Sequence, residues 1–202
     1  MARAKKPKIA CVVLAAGLST RFGGVKQLAK FRGKPLVQNA LESANRSEAE
    51  YTYLVLGHSA SDIVGIIRPG RAQILLNNEY RKGLSTSLKA SISNLPQDCA
   101  GAIFMVGDQP FVNTKNLDMM IRIFKMNPER IIALGSRKEP RNPALIPRQL
   151  FQEIAALKGD VGAREIVRRH LDKTRLIEVS GNRAFLDIDT RSDLEKVAKE
   201  RG

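Results

Sequence analysis

The chain has 202 residues, of which 43% are hydrophobic and 27% charged, and its formal net charge is +14. This length and composition are typical of one globular domain with a real core, and no apolar run approaches the roughly 18 residues that a transmembrane helix requires. The charge attracts polyanions, which leaves nucleic acid, nucleotides, phosphorylated metabolites and anionic membranes as partners.

The termini and the cysteines add little. The basic residues 1–8 are expected to form a flexible tail and not a signal peptide, because the apolar run that follows is short. Cys11 and Cys99 are the only cysteines and lie far apart in the sequence. They predict neither a disulfide framework nor a cysteine metal site, which favours a cytoplasmic protein.

Aliphatic runs and helical periodicity alternate along the chain. Strands are predicted at Ile9–Leu14, Tyr51–Leu56, Ala72–Leu76, Ala102–Val106, Ile131–Leu134, Arg175–Val179 and Ala184–Ile188. Helices are predicted at Leu36–Ala44, Ser59–Ile67, Thr86–Leu95, Asn116–Met126, Gln149–Leu157, Ala163–Leu171 and Ser192–Lys199. This alternation predicts an α/β fold with a mostly parallel sheet that is covered on both faces. Residues 135–150 are expected to be an irregular loop that faces the active site.

The segment Leu14–Leu28, LAAGLSTRFGGVKQL, follows the first predicted strand and is the most informative stretch. Its glycines let backbone N–H groups approach an anion closely, and Arg21 and Lys26 supply positive charge. This combination suits a loop that holds a nucleoside triphosphate. An ordinary strand-to-helix turn with solvated basic residues is the alternative.

Acidic residues follow two other predicted strands. Asp108 stands where the strand Ala102–Val106 ends, which suits a hard cation such as Mg²⁺, although an Asx turn would also place an aspartate there. Asp187 and Asp189 alternate along the late strand and share one side of it, so one or both could complete a two-carboxylate metal site. Asp187 is favoured, because Asp189 could instead serve the start of the last helix.

Other polar clusters face the same predicted edge of the sheet. Gly83 and several hydroxyls lie where a helix begins, and Ser85 is the expected N-cap. Asn142-Pro143 and the segment Gly159–Arg164 could face a second substrate, although the two glycines of that segment also suit ordinary helix punctuation. Neither a zinc site nor a Ser–His–Asp arrangement is indicated by the sequence.

These motifs together resemble the MobA-like nucleotidyltransferase family, whose signature is L-A-[AG]-G-x-S-x-R-x-G-x-x-K. The resemblance spans nearly the whole chain and is strongest to the molybdenum cofactor cytidylyltransferase (MocA-like) type. It continues through Gly33–Leu36 (GKPL), Gly83–Leu88 (GLSTSL), Gly107–Pro110 (GDQP), Asn142-Pro143, Gly159–Arg164 (GDVGAR) and Asp187–Leu194 (DIDTRSDL).

The resemblance implies a single domain over residues 1–202 with a Rossmann-like three-layer sandwich of the nucleotide-diphospho-sugar transferase (GT-A-like) type. It implies transfer of a nucleoside monophosphate from an NTP to a phosphorylated acceptor, with Mg²⁺ (or Mn²⁺) as cofactor and release of pyrophosphate. Arg21, Lys26 and Asp108 would be catalytic. The implied nucleotide-binding residues are Leu14, Ala15, Ala16, Gly17, Arg21, Lys26, Gly83, Ser87 and Asp108. The implied acceptor-binding residues are Asn142, Pro143, Asp160 and Gly162, and the implied metal ligands are Asp108 and Asp187.

The substrates are less closely defined than the reaction. Ala16 in LAAG resembles members that use CTP, and molybdopterin is the acceptor that the MocA-like resemblance implies. Arg141 departs from that pattern, which commonly has Gly before Asn-Pro, and Gln27 is unusual beside Lys26. A guanylyltransferase or sugar-phosphate nucleotidyltransferase of the same fold, and a non-catalytic nucleotide- or nucleic-acid-binding protein, stay as alternatives. Neither a membrane nor a nucleic acid is the expected partner, and the sequence does not fix the oligomeric state.

Overall fold

The computed structural model describes residues 6–179 and 183–199. The strands in these ranges are β1 (Lys8–Leu14), β2 (Lys30–Phe31), β3 (Lys34–Pro35), β4 (Tyr51–Leu56), β5 (Gln73–Leu76), β6 (Cys99–Val106), β7 (Ile131–Ser136), β8 (Glu139–Pro147) and β9 (Thr174–Glu178). The α-helices are α1 (Leu36–Arg46), α2 (Ala60–Val64), α3 (Leu84–Ile92), α4 (Thr114–Met126), α5 (Phe151–Ala156), α6 (Arg164–Arg169) and α7 (Arg191–Lys199). None of these helices is long and apolar enough to cross a membrane.

A seven-stranded sheet in the order β5-β4-β1-β6-β8-β7-β9 organises the fold, and β2 and β3 form a separate hairpin. All pairs in the large sheet are parallel except those of β8 with β6 and β7. Because β1 lies inside the sheet and is covered on both sides, six consecutive residues, Ile9–Leu14, are buried. The predicted α/β class and mostly parallel sheet are therefore confirmed.

Alternate residues of β1 belong to two different cores. Ile9, Cys11 and Val13 pack with α1, α2 and α4 on one face of the sheet. Ala10 and Val12 pack with α3, α5 and α6 on the other face. The period of two in a strand sends successive side chains to opposite faces, so the chain forms the three layers that were expected.

A third, smaller core fixes the position of the loop after β1. Phe22 of that loop packs with Phe31, Leu36, Ile188 and Val197, which come from the hairpin, α1 and the C-terminal segment. Arg191 reinforces this contact, since its guanidinium lies over the Phe22 ring and donates hydrogen bonds to the carbonyls of Phe22 and Gly23. The basic loop is thus anchored by residues far away in the sequence.

Two predicted elements are wrong. Residues 135–150 do not form an irregular loop, because most of them form β8, whose buried residues Ala144–Pro147 pair with β6 in the middle of the sheet. The prolines and charges at the start of β8 obscured a buried strand. Ala184–Ile188 is not a strand; a short 3-10 helix covers Arg183–Phe185, and Ile188 enters the third core with its N–H bonded to the Asp108 carbonyl.

Smaller corrections concern the ends of elements. The expected tail 1–8 is too long, because Lys8 is the first residue of β1 and pairs with Asp98; residues 1–5 lie outside the described ranges. The N-cap of α3 is Gly83 and not Ser85, which lies buried within the helix. Thr190 and Asp193 hold the start of α7 through reciprocal hydrogen bonds.

Candidate active site

A cleft of about 530 Å³ lies at the carboxyl ends of the central strands. Leu14 ends β1 and Val106 ends β6, and both residues line the cleft, as expected of ligand sites in parallel sheets. All nine predicted nucleotide-binding residues line it: Leu14, Ala15, Ala16, Gly17, Arg21, Lys26, Gly83, Ser87 and Asp108. The fold therefore brings together residues that are up to 94 positions apart (from 14 to 108).

Lys26 lies between two carboxylates that line the cleft, Asp108 and Asp189. Its ammonium lies 2.6 Å from Asp108 Oδ2 and 3.0 Å from Asp189 Oδ1, and only 13% of its side chain is exposed. Burial acts to lower the pKa of Lys26, but the charges of Asp108 and Asp189 outweigh burial and raise this pKa above its ordinary value. Lys26 is therefore held as a cation between two carboxylates.

Asp189 also pairs with the second predicted cation of the loop. Its Oδ2 lies 3.1 Å from the Arg21 guanidinium, whose side chain is 74% exposed. Both oxygens of Asp189 are thus engaged by positive charge, one by Lys26 and one by Arg21. Sequence reasoning ranked Asp189 below Asp187, yet Asp189 lines the cleft and Asp187 is not among its lining residues.

In the part of the chain that the structure describes, neither Asp108 nor Asp187 has a cation at both of its carboxylate oxygens. Among the described residues, the buried Asp108 Oδ1 has no hydrogen-bond partner. Asp187 accepts a bond of 2.8 Å from the neutral amide of Gln109. Removal from water raises the pKa of the Asp187 carboxyl, and the negative charges of Asp108 and Asp189 raise it further.

The donor set fits a hard divalent cation. Within residues 6–179 and 183–199, no group of three His, Cys, Asp or Glu side chains has the arrangement of a complete metal site. Mg²⁺ is characteristically held by one or two carboxylates together with substrate phosphates and water, so a complete protein cage is not required. Asp108 Oδ1, which has no hydrogen-bond partner among the described residues, is an oxygen of the type that such a cation binds.

Gln27 holds the backbone of the loop after β1 and was not predicted to do so. Its buried amide donates to the carbonyls of Ala15 and Gly17 at 3.1 and 3.0 Å, and its Oε1 accepts a bond from the Ser19 hydroxyl. In the sequence, only the unusual position of Gln27 beside Lys26 distinguished this residue, and it did not indicate a contact with the backbone of the loop.

The start of α3 is closed by another segment of the chain. Ser85 N–H donates to the Gly159 carbonyl and Leu84 N–H donates to Asp160 Oδ1. Gly83 adopts φ +102° and ψ 173°, and a Cβ there would lie 2.3 Å from the carbonyl carbon of Gly159. These contacts occupy two of the free N–H groups that usually make a helix start available to a ligand.

Ser87 is oriented by a residue that the sequence did not point to. The buried side chain of Asn77 donates to the hydroxyls of Thr86 and Ser87 at 2.8 and 3.0 Å. Because the Ser87 oxygen already accepts from Asn77, its own O–H is left to donate. Ser87 lines the cleft, so a ligand there could accept a hydrogen bond from this hydroxyl.

A second cavity of about 380 Å³ adjoins the first. Three of the four predicted acceptor-binding residues, Asn142, Asp160 and Gly162, line it, whereas Pro143 is absent from the lining of either cavity. Asp160 lines both cavities and forms part of the wall between them. Apolar side chains and three charged residues of α6 complete the lining of the second cavity: Leu14, Leu84, Phe104, Val106, Val161, Ala163, Arg164, Glu165 and Arg168.

Comparison with known families gives a match over most of the chain. The family model described as the MobA-like NTP transferase domain matches residues 11–174. The chain belongs to this family. The family resemblance inferred from the sequence motifs is therefore confirmed.

Relatives and solved structures that resemble this chain have different names. Nicotine blue oxidoreductase of Paenarthrobacter nicotinovorans is 26% identical over 91% of this chain and 93% of its own length. Molybdenum cofactor cytidylyltransferase of Escherichia coli K12 is 24% identical, with 96% of each chain covered. Rv0371c of Mycobacterium tuberculosis H37Rv superposes with a TM-score of 0.86 at 26% identity, covering 96% of this chain and 100% of its own. A manganese complex of Rv0371c superposes with a TM-score of 0.82.

Proposed function

We propose that the protein is a divalent-metal-dependent nucleotidyltransferase that transfers a nucleoside monophosphate from an NTP to a phosphorylated acceptor. The observation that carries this proposal is the Lys26 ammonium between Asp108 and Asp189, inside the cleft that all nine predicted nucleotide-binding residues line. A cation, carboxylates with an unmet oxygen and a glycine loop are the groups that a metal–polyphosphate needs.

The reaction joins two anions, so charge neutralisation and alignment are the main tasks of the protein. An oxygen of the acceptor phosphate attacks the α-phosphorus of the NTP, and the bond to pyrophosphate breaks. Lys26 and Arg21 neutralise the charge that develops on the departing pyrophosphate. The acceptor phosphate is already ionised at neutral pH, so no general base is required.

Asp108 and Asp187 are the proposed metal ligands. Both oxygens of Asp189 are engaged by Lys26 and Arg21, whereas Asp108 Oδ1 has no partner in the described part of the chain and Asp187 is bonded by a neutral amide. Magnesium or manganese bound there would polarise the phosphate oxygens and reduce their charge. The manganese complex of Rv0371c supports a divalent metal in a protein of this fold.

CTP is the proposed nucleotide and molybdopterin the proposed acceptor. Two observations support this choice: the E. coli relative is named as a cytidylyltransferase, and Ala16 gives the LAAG form of the motif, which resembles members that use CTP. The O–H of Ser87 could donate to the carbonyl or ring nitrogen of cytosine, both of which are acceptors. The second cavity has apolar lining residues that suit a ring-containing acceptor, and Arg164 could pair with its phosphate, whereas Arg168 is already paired with Glu165.

Thermal stabilisation and product release test this proposal together. Mg²⁺ with each of the four NTPs should raise the Tm of the protein, most strongly with CTP, since a ligand that binds only the folded state stabilises it by mass action. Wild-type protein given Mg²⁺, CTP and molybdopterin should then release pyrophosphate, and Asp108→Ala should lower the rate by about 10²-fold. Asp98→Ala, at the opposite end of the sheet, is the matched control. Undiminished pyrophosphate release by Asp108→Ala would refute the assignment.

A redox function is the second candidate, because one relative is named as an oxidoreductase. A pyridine dinucleotide also carries phosphates that the basic loop could bind. Oxidation of NADH or NADPH in the presence of a chromophoric acceptor, with no pyrophosphate release from any NTP, would favour that function over nucleotidyl transfer.

A further inference from the structure

We propose that Gln27 is a positioning residue that turns the loop after β1 into an anion-binding surface. Gln27 itself lines the cleft, and its amide bonds two backbone carbonyls of that loop, so that the N–H groups of the same peptide units, and not these carbonyl oxygens, are left for a polyphosphate. This inference rests on the proposed function, in which that anion is the triphosphate of an NTP.

Every carbonyl from Ala15 to Gly17 has a donor from the protein itself. The Gln27 amide donates to the carbonyls of Ala15 and Gly17. The carbonyl between them, that of Ala16, accepts from the His58 N–H at 3.3 Å. Three successive carbonyl oxygens, which would repel a phosphate, thereby accept hydrogen bonds from the protein itself.

The geometry of the peptide bond converts these contacts into an orientation. In a trans peptide the N–H points opposite to the C=O of the same unit. The carbonyl of Ala15 shares its unit with Ala16 N–H, and the carbonyl of Gly17 shares its unit with Leu18 N–H. Fixing the two carbonyls on Gln27 therefore directs the N–H groups of Ala16 and Leu18 away from Gln27.

Both N–H groups are available for a ligand. Ala16 and Leu18 line the cleft, and within the described ranges neither N–H donates to a protein acceptor. Backbone N–H groups that line one cleft can bind an anion together, and Lys26, which also lines it, adds a full positive charge. The orientation set by Gln27 thus matches the charge of the proposed ligand.

The other end of the Gln27 side chain fixes the loop apex. Ser19 donates its hydroxyl to Gln27 Oε1 at 3.1 Å and adopts φ +56°, a left-handed conformation that is uncommon for a residue other than glycine. Such a conformation persists only where surrounding contacts impose it. A glutamate at position 27 could accept from Ser19 but could not donate to the two carbonyls.

Gln38 offers a matched control elsewhere in the protein. It is as buried as Gln27 and also ties a loop through both ends of its amide, donating to the Arg68 carbonyl and accepting from the Arg68 N–H. Gln38 does not line the cleft. Loss of either glutamine removes a buried side-chain-to-backbone tie, but only loss of Gln27 alters the loop that faces the ligand.

The test compares Gln27→Met with Gln38→Met by calorimetric titration with magnesium tripolyphosphate, a probe that has the phosphates but no base. Both variants should have a similarly lowered Tm. Gln27→Met should bind tripolyphosphate at least about tenfold more weakly than wild type and raise the KM for NTP more than it lowers kcat, whereas Gln38→Met should bind within about twofold of wild type. Gln27→Glu should resemble Gln27→Met.

Each result is decisive. Binding by a folded Gln27→Met or Gln27→Glu within twofold of wild type would overturn the role of Gln27 while leaving the proposed function intact. A wild-type protein that binds neither tripolyphosphate nor any NTP would overturn the proposed function itself. Should the Gln27 variants not fold, NMR of the wild type decides: tripolyphosphate should shift the amide signals of Ala16 and Leu18, and binding that leaves both signals unmoved would overturn the inference.

Discussion

A lysine–aspartate ion pair lies at each end of the sheet, and the two pairs differ in burial and in the charges around them. At the amino end, Lys8 lies 2.6 Å from Asp98, and the Tyr51 hydroxyl also donates to that carboxylate. At the carboxyl end, Lys26 lies at the same distance from Asp108. The Lys8 side chain is 46% exposed, whereas that of Lys26 is 13% exposed.

The two ends also differ in the number of charges that they bring together. The amino-end carboxylate has two donors of its own. At the carboxyl end, the negative charges of Asp108 and Asp189 raise the pKa of Asp187. Lys26 pairs with Asp108 and Asp189, and Arg21 pairs with Asp189. Three carboxylates with two cations, and with Asp108 Oδ1 unbonded among the described residues, contribute little to the stability of the fold. The same excess of negative charge favours the binding of a cation.

Removal of the two lysines gives the largest expected contrast. Lys26→Ala should lower the rate of pyrophosphate release by about 10²-fold or more, because a preorganised cation at the departing pyrophosphate is lost. Lys8→Ala removes an ion pair of equal length and should leave the rate within about twofold, since exposed pairs contribute little. Equal rates for the two variants in a steady-state assay would erase the distinction between the two ends.

Gly83→Ala should give the next largest effect. Its φ and ψ fall in a region that is essentially restricted to glycine, and the new Cβ would meet the Gly159 backbone. The free energy of unfolding, measured with urea, should fall by about 2 kcal/mol. Gly65→Ala is the control, because Gly65 has φ −65° and a Cβ there makes only an ordinary contact of 3.5 Å. A Gly83→Ala protein as stable as Gly65→Ala would show that the contact with Gly159 is not required.

Asp187→Asn should produce the smallest effect and one of opposite sign. The pKa of Asp187 is raised in the folded state, so its ionisation at neutral pH disfavours folding, and this penalty is absent below the unfolded pKa, near 3.8. The asparagine can still accept from Gln109, so the variant should have a higher Tm than wild type at pH 7 and lose part of its metal affinity.

Thermal denaturation at several pH values checks the sign of this effect. The gain in Tm from Asp187→Asn should shrink as the pH falls through the raised pKa and disappear where Asp187 is protonated in both states. A gain that does not change with pH would show that the charge of Asp187 is not its cause.

The sequence was sufficient for six of the seven strands of the large sheet and for nine of the residues that line the cleft. Runs such as Ile9–Leu14 are apolar on both faces, which only a covered parallel strand requires, and residues after such strands must meet at one edge. It was insufficient for β8, where prolines precede the buried residues Ala144–Pro147. Pairing with β6 and β7, a tertiary effect, outweighed the local preference for a loop.

The supporting residues were beyond sequence reasoning for a different reason. Gln27, Asn77 and Gln109 act through single side-chain hydrogen bonds to partners that the fold brings close. Such bonds have no periodicity and no fixed spacing. The sequence did not show that Asp189 lines the cleft and that Asp187 does not, because this depends on where the segment after the 3-10 helix turns.

The anchoring of the basic loop by Arg191 has a consequence for biosynthesis. Residues 187–191 are translated after all the other parts of the cleft, yet they provide Asp189 and the guanidinium that binds the Phe22 and Gly23 carbonyls. A nascent chain on the ribosome can therefore assemble the central strands while the loop still lacks its anchor. Capacity to capture a nucleotide should arrive late, in one step, when that final segment emerges and docks.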